Sequence, residues 1–314
     1  MIEVKGLTKT YGSKTVVDGA DFTVRPGHVT GFLGPNGAGK STTMRMMLGI
    51  DRSTSGTATV NGHHYGDLPV PLREVGALLD AKAIHGGRTA HDHLLWLARS
   101  SGIPRRRVDQ VLGMVGLQDV AAKQPKGFSL GMGQRLGIAA ALLGDPGVLM
   151  FDEPVNGLDP EGIVWIRELM RSLAAEGRCV FVSSHLMSEM ALTADHLVVI
   201  GRGRILADTS MREFTDSDTS SHVRVASPQA SDLARLLAGT AWRVESDEPG
   251  TLRIFGPTTR EVGDLAANTG IRLHELTYVQ ASLEAAFMRL TSESVEYQAA
   301  APEPTAHDLS GSIR

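Results

Sequence analysis

The sequence predicts an α/β fold in which a mainly parallel core sheet carries a helical insertion and is followed by a small α+β domain. Three observations predict it. Short apolar strands alternate with amphipathic helical runs through the first two thirds of the chain, the pattern of a parallel sheet with covered faces. Residues 89–143 interrupt that alternation with helical periodicity alone. A polar stretch, Thr215–Ser221, then introduces a second, shorter run of strands and helices.

The elements follow in order. Residues 2–33 read as strands, broken by the turn Arg25-Pro26-Gly27; the last of them, Val29–Leu33, reads as a short buried strand. A glycine-rich loop leads into a helix over Lys40–Leu48. Thr57–Val60 is a strand ending in Asn61-Gly62, a hairpin signal. Val75–Leu79 is the next strand. In the insertion, Thr89-Ala90-His91-Asp92 resembles a capping box, Val108, Val111, Leu112 and Val115 recur at helical spacing, and a third helix runs through Leu136–Leu143. Gly147–Phe151 and Val180–Val182 return to buried strands. Ile163, Ile166, Met170 and Leu173 mark a helix between them, and a helix at Met187–Leu192 precedes a strand at Leu197–Ile200. Beyond the polar stretch the order is strand (222–226), helix (229–238), strand (241–245), strand (251–255), helix (258–268), strand (271–276) and helix (281–290). The first six give β-α-β-β-α-β, a ferredoxin-like order. Residues 292–314, rich in Ser, Ala, Pro and Glu, read as a disordered tail.

Composition narrows the function classes. A chain of 314 residues has room for two domains and a core that needs no staple. Cys179 is the only cysteine, which excludes an internal disulfide and cysteine-based metal or iron–sulfur sites. A net charge of −4 argues against non-specific binding to nucleic acid. No run of about 18 apolar residues is present to span a bilayer, and the first residues show no secretory pattern. The expected place is the cytoplasm.

Gly34-Pro35-Asn36-Gly37-Ala38-Gly39-Lys40-Ser41 matches the P-loop pattern in full and lies between a strand and a helix, the context that motif requires. Its glycines let successive backbone N–H groups turn inward onto phosphate oxygens at a helix N-terminus. Lys40 adds a positive charge for the β- and γ-phosphates, and Ser41, with Thr42 beside it, offers a hydroxyl to Mg²⁺. At the end of the Gly147–Phe151 strand stand Asp152, a candidate Mg²⁺ ligand, and Glu153, a candidate to polarise the attacking water. His63 and His64, and His91 and His93, are not spaced to share a metal ion, and Cys179 reads as a small core residue.

With these residues in place, roughly residues 1–210 resemble the ATP-binding subunit of ATP-binding cassette (ABC) transporters. Phe128-Ser129-Leu130-Gly131-Met132-Gly133-Gln134-Arg135 is similar to the family signature, Asn156-Gly157-Leu158-Asp159 to its D-loop, Ser184-His185 to its switch histidine and Tyr11 to its adenine-stacking aromatic. The signature departs from the usual leucine-serine-glycine-glycine-glutamine form: Leu130 and Met132 replace a glycine and the glutamine, while Ser129 and Gly131 remain. The serine-leucine-glycine-methionine form resembles that of antibiotic-resistance and ABC-2 type exporters. In place of the glutamine that usually follows the strand at Val75–Leu79 stands Asp80, a hard oxygen ligand that could sense Mg²⁺ or merely cap its loop.

The resemblance implies a P-loop cassette over residues 1–214, with an antiparallel N-terminal subdomain and the helical insertion at about 89–143, and an accessory domain over 222–290. It implies a Mg²⁺-dependent ATPase that powers a membrane exporter. Two copies would form a head-to-tail homodimer in the ATP-bound state, with the P-loop of one and Ser129 and Gly131 of the other enclosing each ATP. Glu153, His185 and Lys40 would carry the chemistry. An integral permease would hold the subunit at the inner face of the membrane. A soluble ABC-type ATPase, an importer subunit and a non-hydrolysing ATP switch remain alternatives from sequence.

Overall fold

In the computed structural model, which describes residues 1–216 and 221–279 together with 284, 287, 288 and 290, β1 (Ile2–Tyr11) and β2 (Lys14–Val24) form an antiparallel pair joined by a tight turn. β3 (Val29–Leu33) is buried at every position and runs through the glycine loop into α1 (Lys40–Met47). β4 (Ser55–Val60) returns to pair with β1, completing a three-stranded antiparallel sheet in the order β2-β1-β4. The one-turn α2 (Pro71–Glu74) precedes β5 (Val75–Leu78). The insertion supplies α3 (Ala90–Ser100), α4 (Arg106–Met114) and α5 (Leu130–Leu142). Then come β6 (Val148–Asp152), α6 (Pro160–Ala175), β7 (Cys179–Ser184), α7 (Met187–Thr193), β8 (His196–Gly201), β9 (Arg204–Ser210) and α8 (Met211–Asp216).

The central sheet has the order β5-β6-β7-β3-β8-β9, parallel throughout except for β9. Its strands are apolar on both faces, and the alternation of the pleat divides them. On β6, Leu149 and Phe151 join the core beneath the helical insertion, while Val148 and Met150 join the core beneath the N-terminal sheet. In that second core the rings of Phe22, Phe32 and Phe181 stack with centroids 5.2–5.7 Å apart. Cys179 is buried there as well. The C-terminal part contains β10 (His222–Ala226), α9 (Ala230–Leu237), β11 (Arg243–Glu248), β12 (Thr251–Phe255), α10 (Thr259–Asn268) and β13 (Glu275–Val279). Its sheet, β11-β12-β10-β13, is antiparallel at every pairing, and it packs Val223, Val225, Leu252 and Ile254 against Leu233, Leu237 and Val262.

Several local expectations change. Asn61 and Gly62 do take left-handed conformations (φ 50° and 84°), but the hairpin they close is a single bridge, Val60 to His63. Thr89 caps α3 by accepting from the Asp92 N–H, one arm of a capping box. The expected strand at 271–276 starts at Glu275, because Ile271–His274 is tied down irregularly. Ser227 Oγ donates to the Arg272 carbonyl at 2.7 Å and the Arg272 N–H donates to Gln229 at 3.1 Å. Strand β9 carries no apolar alternation and was not foreseen; it is paired through the hairpin at Arg202 and Gly203 (φ 46° and 81°). Helix α8 occupies Thr215 and Asp216 of the expected linker. Most of the helix expected over 281–290, and all of the tail 292–314, lie outside the described residues.

Candidate active site

The candidate residues leave the C-terminal edge of the parallel strands, where α/β sheets place their ligands. Strand register makes this concrete. Leu33 pairs with Ser184, Asp152 with Ser183, and Leu78 with Phe151. The phosphate loop after β3, the acids at the end of β6 and His185 after β7 therefore emerge side by side. Asp80, two residues past Leu78, emerges next to Glu153, two residues past Phe151.

The loop from Gly34 to Ser41 is pressed against β8 and β2, which explains two of its glycines. A Cβ on Gly34 would lie 2.5 Å from the Ile200 carbonyl oxygen, and one on Gly39 would lie 2.8 Å from that of Val16. Gly39 also has φ 107°, and it opens α1 directly at Lys40. Pro35, Asn36, Gly37 and Ala38 complete the loop, Ser41 is exposed at its end and Thr42 half-buried beside it.

Lys40 is only 7% exposed. Its ammonium donates to the Gly34 carbonyl at 2.7 Å and the Pro35 carbonyl at 3.3 Å, and lies 3.8 Å from Glu153 Oε1. Burial holds its pKa below the usual lysine value, opposed by Glu153 and Asp152. Glu153 Oε2 is 2.8 Å from His185 Nδ1. Lys40, Glu153 and His185 thus form one continuous polar chain.

Sequence reasoning missed what supports this chain. Ser183 Oγ donates to Asp152 Oδ1 and accepts the Glu153 N–H at 2.9 Å, so one hydroxyl orients both acids. Buried Gln134 donates from Nε2 to the Glu153 carbonyl at 3.1 Å. These bonds hold Glu153 at φ 50°, a left-handed conformation rare for a residue with a side chain. The signal for Ser183 was its place in a buried strand, one residue before the Ser184-His185 pair; Gln134 gave none beyond lying in the signature stretch.

Ser129 caps α5, accepting from the Met132 N–H at 3.2 Å, and Leu130 is 54% exposed beside it. The signature turn and the D-loop are in contact: a Cβ on Gly131 would lie 2.9 Å from the Gly157 carbonyl, and one on Gly157 would lie 2.3 Å from the Leu130 side chain. Asp159 caps α6 through the Gly162 N–H. Asp80 is exposed, and its Oδ1 accepts the Lys82 N–H at 2.8 Å, a turn cap. Tyr11 is exposed at the end of β1. A cleft of about 360 Å³ lies between the loop that Asp80 begins and the signature turn, lined by Ala81, Lys82, Ile84, Lys126, Phe128 and Leu130 among others. A cavity of about 470 Å³ opens at the other end of β3 and β8, near Thr30 and His196, and holds none of the motif residues.

The chain's relatives agree with this geometry. Residues 17–156 match the sequence model of the ABC transporter family, and residues 221–284 match a domain of unknown function. The bacitracin transport ATP-binding protein BcrA of Bacillus licheniformis is 36% identical over 305 residues, covering 92% of this chain and 97% of that protein. Among solved structures, an ATP-binding subunit of an ABC transporter superposes with a TM-score of 0.64 at 28% identity, over 69% of this chain and 92% of that one. The dimeric post-hydrolysis state of the cassette MJ0796, bound to ADP and phosphate, has the same fold, with a TM-score of 0.62 at 24% identity over 68% of this chain and 99% of that one. The chain belongs to the ATP-binding proteins of ABC transporters, the ATPases that drive them.

Proposed function

We propose that this chain is the ATP-hydrolysing subunit of a membrane exporter, working through ATP-driven dimerisation and Mg²⁺-dependent hydrolysis. The observation that carries the reading is the chain Lys40–Glu153–His185, assembled at the sheet edge beside the phosphate loop. Among the described residues no helix is long and apolar enough to cross a membrane, so translocation falls to an integral permease partner. The relative named for bacitracin transport supports a role in transport, which in this reading is export, with the subunit held at the inner face of the membrane.

The residues suggest how the work is divided. The loop N–H groups and Lys40 bind the β- and γ-phosphates, exchanging the Gly34 and Pro35 carbonyls for phosphate oxygens. The Glu153 carboxylate orients a water and accepts its proton as the oxygen attacks the γ-phosphorus and the bond to the ADP oxygen breaks. With its Nδ1 held against Glu153, His185 turns its Nε2 toward a γ-phosphate oxygen. No group of three or more His, Cys, Asp or Glu among the described residues could hold a metal ion unaided. Asp152 and the Ser41 hydroxyl would instead hold Mg²⁺, being the sparse oxygen set that suits this cation. Mg²⁺ would there neutralise charge developing on the phosphates. Ser129, Gly131 and the first turn of α5 face the opposite subunit's ATP in this reading. Tyr11 would stack on adenine, and Asp80 would sense Mg²⁺.

Glu153→Gln tests it. The variant should bind ATP, hydrolyse it about 100-fold more slowly or worse, and accumulate as an ATP-dependent dimer in light scattering. A monomeric Glu153→Gln protein with parental turnover would overturn the assignment.

A further inference from the structure

Around Tyr11 lies a set of polar contacts that phosphate chemistry does not use. The ring is 50% exposed, and its hydroxyl donates to Asp51 Oδ2 at 3.3 Å. Asp51 in turn receives a two-point contact from Arg45, with Nε 2.8 Å from Oδ2 and Nη2 3.1 Å from Oδ1. Lys9 covers one face of the ring, its Nζ 4.7 Å from the centroid, and is anchored on the Arg52 carbonyl at 2.6 Å. The main chain reinforces this corner: the Ile50 and Asp51 N–H groups both donate to the Arg45 carbonyl, and the Thr10 N–H donates to Thr54 Oγ1.

Arg45 stands on α1, five residues after Lys40 and four after Ser41. One short helix therefore fixes the phosphate-binding end of the site and, through Arg45, Asp51 and the tyrosine hydroxyl, the angle of an aromatic ring. The Arg45–Asp51 pair is a surface pair, and such pairs add little to folding stability. Its planar fork does impose orientation. A tyrosine at the exposed end of a strand would otherwise lose rotamer freedom when a base stacked on it; a ring already tethered by its hydroxyl loses less.

We propose that Asp51, oriented by Arg45, is a positioning residue that holds the Tyr11 ring as a preformed platform for the nucleobase of ATP, with Lys9 on the ring's other face. The proposal rests on the reading of the Lys40 loop as the ATP phosphate site.

The test is calorimetric titration of the full chain, with Mg²⁺ present, against ATP and against inorganic tripolyphosphate, which has no base. Asp51→Ala should weaken ATP binding about five- to tenfold, toward the lower end of what base–aromatic stacking contributes, and leave tripolyphosphate binding unchanged. Tyr11→Ala should lose at least as much for ATP, and adding Asp51→Ala to it should cost nothing more. Unchanged ATP affinity in Asp51→Ala would overturn the proposal. So would a parallel loss of tripolyphosphate affinity, which marks general damage, or additive losses in the double variant. Failure of the underlying reading looks different: a Lys40→Ala chain that binds both ligands like the parent removes the phosphate site itself.

Discussion

Glu153 holds a left-handed conformation, and the reason lies in what it and Asp152 must reach together. Had the chain continued straight out of β6, successive side chains would have pointed to opposite faces. The turn at φ 50° brings the Asp152 carboxylate and the Glu153 N–H to the same Ser183 hydroxyl while the Glu153 carboxylate reaches His185. Lys40 stood out in the sequence through the P-loop pattern, the acids through their place at the end of a buried strand after it, and His185 through the family resemblance. Ser183, Gln134, Asp51 and Arg45 were not, because a hydroxyl or amide that orients another group leaves no spacing pattern. Cys179 offers a separate check at this scale. Burial pushes its thiol up to about 11, and its Sγ lies against the Val24 carbonyl at 3.4 Å. At pH 8 the folded protein should therefore resist a disulfide reagent such as DTNB, and one thiol per chain should react once urea unfolds it. Full labelling of the native protein within the mixing time would contradict this burial.

Helix and strand identity was legible wherever apolar periodicity was strong, as in α4, α6 and β7, and failed where the element is half-exposed. Strand β9 is the clearest case. It is the one antiparallel edge of the central sheet, and edges need no two-faced apolar run. Contacts between elements were less legible still, since they depend on which backbones touch. Strand β5 lies so close to α5 that a Cβ on Gly76 would fall 1.9 Å from the Ala141 carbonyl oxygen. Gly76→Ala must separate the strand from the helix, and overpacking of this kind costs about 1–3 kcal/mol. Thermal unfolding of the variant should show a lower Tm than the parent. Because β5 leads to Asp80, the same variant should also lose ATPase rate more than it loses ATP affinity. An unaltered Tm would mean that the two backbones can part freely.

For the whole molecule, element order predicted the mainly parallel sheet and the β-α-β-β-α-β run after it, and the motifs predicted the cassette, but neither told how far apart loops would lie. Asp80 shows the difference. In sequence it stood as either a Mg²⁺ sensor or a loop cap; strand register places its exit beside that of Glu153, and the carboxylate itself caps the turn at Lys82. In a complex with the permease, Asp80→Ala should raise the Mg²⁺ concentration needed for half-maximal ATPase rate, and Asp80→Gln should stay nearer the parent. Identical Mg²⁺ titrations for all three would leave the residue as a turn cap alone. One further feature concerns mechanics. Phe214, on α8 before the C-terminal sheet, and Phe287, beyond it, are both buried in the core cluster under the central sheet. The chain therefore meets one and the same core before it enters the C-terminal sheet and after it has left it, so a substitution that loosens that core reaches both ends of the C-terminal sheet at once.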